Sequence, residues 1–471
     1  MYPPSDCGVT SSPLEYWRPV DADLESGTAR RQQVAIRLIG AVFLALLICP
    51  TIIVPPGSGV LSRSLSEWLD FGLVGVWMLA RILAGRAMAI RPRWLEIALW
   101  LPAWAFVLSE LVFGARGGDL DPSHLYAVLN VLRPIALVQL LVGICCWGKI
   151  DREAYARAHR SLLLIAAIAL IYTGSLALLQ FFEVRPALNF LQDFYQYASH
   201  GRYEIAVSAV EDYGRVTSIF HWANSLGIFV AAGLLLLIPQ ALTRETGVIG
   251  LGATLLGIMT LVLSGSRTAM VALGIGLVVI LIIQRRFRVI ALLLIGGLFF
   301  SAAANLIETR TGASSRLFGL FDWLFGNGPL PGSLDFRLTN LIWSLQQFVR
   351  LPEVFWTGTT VTDYRDIVPR SFDSEFLKYL VWTGVFGLVA FVLFQLGVIA
   401  SAWRSLLLAP KGDLRRDLAA SLLATFIAMA VAASNQDVWG QYKLLQLVFV
   451  FLGFLVYGNS NSNSPLSDSN G

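Results

Sequence analysis

The sequence predicts an all-α polytopic membrane protein with about twelve transmembrane helices and both termini cytoplasmic. Three observations carry this: the composition, a recurrence of long apolar stretches, and an uneven distribution of basic residues between them. Hydrophobic residues make up 56% of the 471 residues and charged ones only 14%, with a mean hydropathy of +0.66. A soluble domain of this size has no interior large enough to hide so much apolar side chain.

The expected spans are 34–54, 68–84, 94–113, 125–147, 162–182, 219–238, 248–264, 267–283, 288–304, 376–400, 418–433 and 442–458. Each is long enough to cross about 30 Å of hydrocarbon. The first follows a polar tail at 1–33 that lacks the form of a cleavable signal peptide, because the apolar run starts late and no small-residue cleavage site follows it. The second and third spans are separated by Arg86, Arg91 and Arg93, the fourth and fifth by Lys149, Arg152, Arg157 and Arg160. Arg244 follows the sixth, Arg285, Arg286 and Arg288 join the eighth to the ninth, and Arg404, Lys411, Arg415 and Arg416 join the tenth to the eleventh. The alternate short connectors hold only Arg63, Arg116 and Arg267, while Arg30 and Arg31 precede the first span. Basic connectors stay cytoplasmic, which fixes both ends inside and leaves 459–471 as a disordered cytoplasmic tail. The formal charge of +4 reflects this topology; no dense basic block points to nucleic acid. His159 falls in a basic cytoplasmic connector, where a structural or solvated role is expected, and the cysteines have neither disulfide nor metal spacing. No internal repeat is evident.

Two outer connectors are long, 183–218 and 305–375. The second contains an amphipathic helix over 336–349, with Phe336, Leu338, Leu341, Ile342, Leu345 and Phe348 largely on one face and Arg337 elsewhere. Outer loops of this length usually carry function.

The sharpest local signal is Ser-Gly-Ser-Arg at 264–267. The polar triplet breaks the apolar run, and Ser266 is placed to cap the following helix. Arg267 then adds a positive charge to the positive end of a helix dipole, which is unfavourable until an anion sits between them. Two readings stand: an anion site, or an interfacial arginine held by a loop carboxylate. Arg215 precedes a segment in which His221 and Asn224, three residues apart, share one helical face. His221 either contacts substrate or bonds a neighbouring helix. Asp373, Ser374 and Glu375 stand where the tenth span begins; capping accounts for them, and a place beside the candidate anion site permits a second role, accepting a proton from a substrate hydroxyl.

These residues resemble the superfamily of O-antigen ligases and Wzy-type O-antigen or exopolysaccharide polymerases. The likeness lies in GRVTSIFHWANSLG at 214–227, VLSGSRTAM at 262–270, and the unit from DFRLTNLIWSL at 335–345 through FDSEFLKYLVWTGVFGL at 372–388. It implies a glycosyltransferase domain over 34–458 in the bacterial cytoplasmic membrane, active at the periplasmic face on undecaprenyl-pyrophosphate-linked oligosaccharide. By the same resemblance Arg215 and Arg267 bind the donor pyrophosphate, Arg337 belongs to a closing outer loop, Asn224 lines the site, and Asp373, Glu375 or His221 takes the acceptor proton. Neither cofactor nor metal is implied; membrane lipid, a chain-length regulator and export proteins are the further partners. Ligases of the family carry a histidine in the long loop, and 305–375 has none, which favours a polymerase. A ligase and a transporter of lipid-linked sugar are the alternatives; a transporter would spread polar residues along a central path, whereas these gather at one face.

Overall fold

In hydrocarbon every backbone N–H and C=O needs a partner within the protein, and a helix supplies them locally. The computed structural model describes residues 27–49, 53–54, 63–84, 88–118, 122–191, 215–220, 222–241, 247–285, 332–352, 354–360 and 374–462. Their order is α1 (Gly27–Ile48), β1 (Ile53–Val54), β2 (Arg63–Ser64), α2 (Leu65–Ala84), α3 (Arg93–Ala115), α4 (Pro122–Gly148), α5 (Arg152–Phe181), α6 (Arg185–Leu191), α7 (Ala223–Ala241), α8 (Gly247–Ser264), α9 (Arg267–Ile283), α10 (Gly332–Val349), α11 (Glu375–Leu408), α12 (Leu414–Ala433) and α13 (Tyr442–Ser462). The two short strands pair antiparallel, Ile53 opposite Ser64 and Val54 opposite Arg63. Among the described residues eight helices, α1, α3, α4, α5, α8, α11, α12 and α13, contain stretches long and apolar enough to cross a membrane, and α2, α7 and α9 contain shorter apolar ones. The chain is an all-α polytopic membrane protein.

The expected span at 288–304 lies outside the described residues; each of the others falls on a helix, 267–283 with the same ends and the rest with shifted ones. α1 stops at Ile48 rather than 54 because Cys49 precedes a proline, which disfavours helical backbone. It also begins at Gly27, inside the expected tail. α5 starts at Arg152, well before the apolar run at 162, because the Asp151 carboxylate accepts from the Ala154 N–H at 2.8 Å and caps a helix that extends past the hydrocarbon. The Ala154 N–H chiefly, with the Gln32 amide and Arg157 assisting, outweighs desolvation and holds the Asp151 carboxyl below the usual carboxylate range. His159 consequently lies within α5 and is fully buried, not solvated in a connector.

α7, α12 and α13 form the centre of the bundle. From Leu226 to Leu237 nearly every α7 side chain is shielded, and α8, α9, α12 and α5 pack around it. Small residues set the spacing: a Cβ on Gly276 of α9 would fall 2.5 Å from Leu235, and one on Gly257 of α8 would fall 2.9 Å from Leu234. The lipid-facing side is apolar instead, with Ile82, Leu83, Trp104, Leu111 and Val248 exposed.

Side-chain bonds tie the helix ends at both rims. At one rim Lys443 donates to the Leu47 and Cys49 carbonyls at 3.1 and 2.8 Å, joining α13 to the C-terminus of α1. At the other, Gln139 of α4 and Arg81 of α2 both donate to Glu96 of α3, while the Trp77 indole donates to Gln139.

α11 is broken at Gly384, where φ is +69°. An unbroken helix would bond Val385 N–H to Val381 C=O and Phe386 N–H to Trp382 C=O. Here those groups bond the 354–360 segment: Thr359 N–H reaches Val381 C=O at 2.9 Å, Thr360 N–H reaches Trp382 C=O at 3.1 Å, and Val385 and Phe386 donate to Phe355 and Trp356 at 3.0 and 3.3 Å. The loop gives up the equivalent pair, 355 with 359 and 356 with 360, so two helical turns exchange hydrogen bonds. Both centre on the same tripeptide, Trp-Thr-Gly, at 356–358 and 382–384. Gly358 has φ +77°, and a Cβ there would lie 2.3 Å from the Trp382 carbonyl; one on Gly384 would lie 2.3 Å from that of Trp356. Gly384→Ala and Gly358→Ala should each destabilise the protein by about 2 kcal/mol or more, read as a lowered melting temperature in detergent. An unchanged transition in both would mean the exchange does not hold loop and helix together.

Candidate functional site

The rim that holds Lys443 also gathers the polar residues singled out in the sequence. α8 ends at Ser264, Gly265 turns the chain with φ +58°, Ser266 is extended, and α9 starts at Arg267. A two-residue reversal brings the negative end of one helix dipole beside the positive end of the next.

Arg215 occupies the negative end. Its Nε donates to the Ser264 carbonyl at 2.7 Å and its Nη2 donates to Asn224 Oδ1 at 2.5 Å, in the first turn of α7. The guanidinium lies over Gly265, where an added Cβ would come within 3.3 Å of Nε. The 215–220 segment is held against α5 by Gln180, whose Oε1 accepts from the Thr217 and Ser218 N–H groups at 3.0 and 2.8 Å. Ser218 also donates to the Thr173 carbonyl at 2.7 Å. Arg215 thus emerges from a fixed backbone.

The positive end differs from expectation. Ser266 has the N-cap position but its hydroxyl makes no cap bond; Oγ is buried without a hydrogen-bond partner among the described residues. The side chain packs instead against α7, where a Cβ on Gly227 would meet Ser266 Cβ at 2.6 Å. The first N–H groups of α9 therefore have no Ser266 cap, and Arg267 adds its charge to them.

A second cluster stands where α11 begins. Ser374 caps the helix through Leu377 N–H, and its hydroxyl reaches the Ala433 carbonyl at the end of α12 at 3.5 Å. Glu375 is 1% exposed with both oxygens engaged, Oε1 by Lys378 Nζ at 2.9 Å and Oε2 by Trp439 N–H at 3.1 Å. Lys378 also bonds Asp437 Oδ1 at 2.9 Å and lies over the Trp382 ring. Asp437 belongs to the connector between α12 and α13, and the Gly440 N–H donates to it at 3.0 Å. Its partial burial opposes ionisation, yet the Lys378 ammonium and the hydrogen bonds around it hold the carboxyl well below the usual carboxylate range. In the same connector Asn435 donates to Thr268 at 3.3 Å, one residue beyond Arg267, so the two clusters share one rim.

The structure therefore brings Arg215, Asn224 and the Arg267 turn together, with Glu375 linked to them through the 434–441 connector. Arg337 lies on α10, whose Phe348 packs on Leu377, Leu380 and Val381, but its side chain is outside the described residues, as are His221 and Asp373 entirely. Lys378 and Asp437 were missed in the sequence. A lysine one turn after a glutamate in an apolar helix calls for a buried partner, but nothing in spacing points to a residue so far along the chain. His124, near the start of α4, is buried and paired with Glu110.

Residues 252–392 match the family model described as O-antigen ligase. The match agrees with the superfamily that the sequence resembles. It runs from α8 through the Arg267 turn and α10 to the broken part of α11, and leaves out Arg215, Asn224 and Asp437. A search of curated proteins finds no match. Lys378→Met should destabilise the protein by about 3 kcal/mol, because it leaves the Glu375 carboxylate buried without its cation. Thermal unfolding should show part of that loss recovered by adding Glu375→Gln; no recovery would mean that the charge on Glu375 is not what Lys378 offsets.

Proposed function

We propose that the chain is a membrane glycosyltransferase that polymerises undecaprenyl-pyrophosphate-linked oligosaccharide at the outer face of the cytoplasmic membrane. The observation that carries this is the pair of arginines on the two helix ends at 264–267, one of them inside the O-antigen ligase match. The outward orientation is supported by the opposite rim, where Lys149, Arg152, Arg285, Arg404 and Lys411 gather at helix ends.

In this reading the donor pyrophosphate lies at the α9 N-terminus, where helix N–H groups and the Arg267 guanidinium meet an anion. Arg215, anchored on Ser264 and Asn224, sets the second charge, and Arg337 on α10 closes over the donor. The acceptor hydroxyl oxygen attacks the anomeric carbon as its bond to the pyrophosphate oxygen breaks. Negative charge grows on the leaving group, and fixed guanidiniums stabilise that growth more than the ground state. The hydroxyl proton passes to a base drawn from Asp373, Glu375 and His221; Glu375 reaches a sugar only if Lys378 or the Trp439 N–H releases it. Lipid pyrophosphate is itself the leaving group, and the reading invokes no cofactor.

The absence of histidine from 305–375 favours the polymerase over a ligase. The description of the matched family favours a ligase that transfers the glycan to lipid A-core or another acceptor, as the second reading. Purified protein given a single lipid-linked repeat should produce a ladder of longer lipid-linked glycans. Product found only on lipid A-core would replace the polymerase with the ligase. Arg267→Ala should reduce transfer at least about 100-fold with helix content unchanged by circular dichroism; near-normal turnover would remove Arg267 from the donor site.

A further inference from the structure

The connector at 434–441 reads Ser-Asn-Gln-Asp-Val-Trp-Gly-Gln, between the ends of α12 and α13. It is fixed at three points: Asn435 to Thr268, Asp437 to Lys378, and the Trp439 N–H to Glu375. Fixation leaves unmet demand. Gln436 Oε1, Trp439 Nε1 and Gln441 Oε1 are buried and have no hydrogen-bond partner among the described residues, although Gln436 is only 8% exposed and Trp439 only 6%. Buried polar atoms are nearly always paired, and three in one short connector form a concentration that needs an explanation. Beside them the Asp437 side chain remains 42% exposed while Lys378 and Gly440 hold it in place.

The chemistry of this set selects its ligand. Two amide oxygens and a carboxylate are acceptors, and an indole N–H is a donor. An anion would be repelled by the acceptors, and an apolar chain would satisfy none of them. Hydroxyl groups both donate and accept, so a neutral polyhydroxylated molecule matches both sides of the set. We infer that the 434–441 connector is a glycan-binding subsite, with Asp437 accepting hydrogen bonds from sugar hydroxyls and Lys378 its positioning residue. The subsite rests on the glycosyltransferase reading for its place in a reaction: it lies beside the Arg267 turn, so a sugar held here sits next to the bound pyrophosphate. Its ligand chemistry rests on the side chains alone.

The test separates the two. Oligosaccharide is released by mild acid from the lipid-linked repeats of the producing cells, which removes the lipid and its pyrophosphate, and is titrated into the full-length protein in nanodiscs. Saturation-transfer NMR and tryptophan fluorescence report binding. Wild-type protein should bind the free glycan; Asp437→Asn and, as a second variant with the ion pair intact, Gln436→Ala should each weaken binding at least tenfold. Arg267→Ala should change it less than twofold, because the free glycan has no phosphate. No binding by wild type, wild-type affinity in both connector variants, or an equal loss in Arg267→Ala would overturn the subsite. A melting temperature lowered in both connector variants together with lost binding of the intact lipid-linked repeat would likewise overturn it, assigning these residues to packing. Failure of the wild-type protein to elongate the lipid-linked repeat, with free-glycan binding and its loss in the connector variants as expected, would overturn the polymerase reading and leave the subsite standing.

Discussion

A helix interrupted inside a membrane bundle exposes backbone groups that lipid cannot satisfy, and each unmet group costs several kcal/mol. The break at Gly384 exists because 354–360 brings a matching interruption, and the two exchange partners bond for bond. Much follows from this. The N-terminal part of α11 becomes a short unit bonded to the loop, with Glu375, Lys378 and Trp382 on it, and α10 packs on the same unit through Phe348. α3 closes the other side, where Ser109 donates to the Trp382 carbonyl at 2.9 Å and Phe106 packs edge-on to Trp382 and Tyr379. The polar rim thus rests on a plug of backbone hydrogen bonds.

The two arginines at the α8–α9 reversal are chemically alike and electrostatically opposed. Arg215 is stable without a ligand, since it meets carbonyl oxygen at a helix C-terminus. Arg267 stands at an N-terminus that Ser266 does not cap. In the proposed glycosyltransferase Arg215 shapes the donor site and Arg267 meets the donor's charge. Asn435 of the 434–441 connector bonds Thr268, the residue after Arg267, so the connector adjoins the arginine turn at one rim.

Hydropathy made most of the helices legible, because burial in lipid leaves little choice of residue: the expected 267–283 coincides with α9, and 248–264 differs from α8 by one residue. It failed where helices leave the hydrocarbon, as at Arg152, since charge there reads as connector although Asp151 caps and starts the helix. The Arg267 turn was legible from its polar triplet, whereas the role of Ser266 was not: whether a serine caps depends on what its side chain packs against, here Gly227 of another helix. Lys378 and Asp437 meet across a long stretch of chain, and local spacing carries no trace of such a pair. The repeated Trp-Thr-Gly was visible and went unread, because a tripeptide gains meaning only when its two copies are seen to touch.

The bond from Arg215 to Ser264 has an inheritance unlike that of an ordinary pair. Its acceptor is a main-chain carbonyl, present whatever residue is encoded at 264. Two partners that are both side chains can be lost from either gene position, or exchanged by compensating changes; this one can be lost only at 215. The helix exchange around Gly384 is built in the same way, from main-chain groups on both sides. Sequence drift in such a frame is filtered at a few points, the arginine and the glycines that permit close approach, and is otherwise unconstrained by the bonds themselves. Divergent relatives of this chain would then be expected to keep the frame while little else in their sequences aligns.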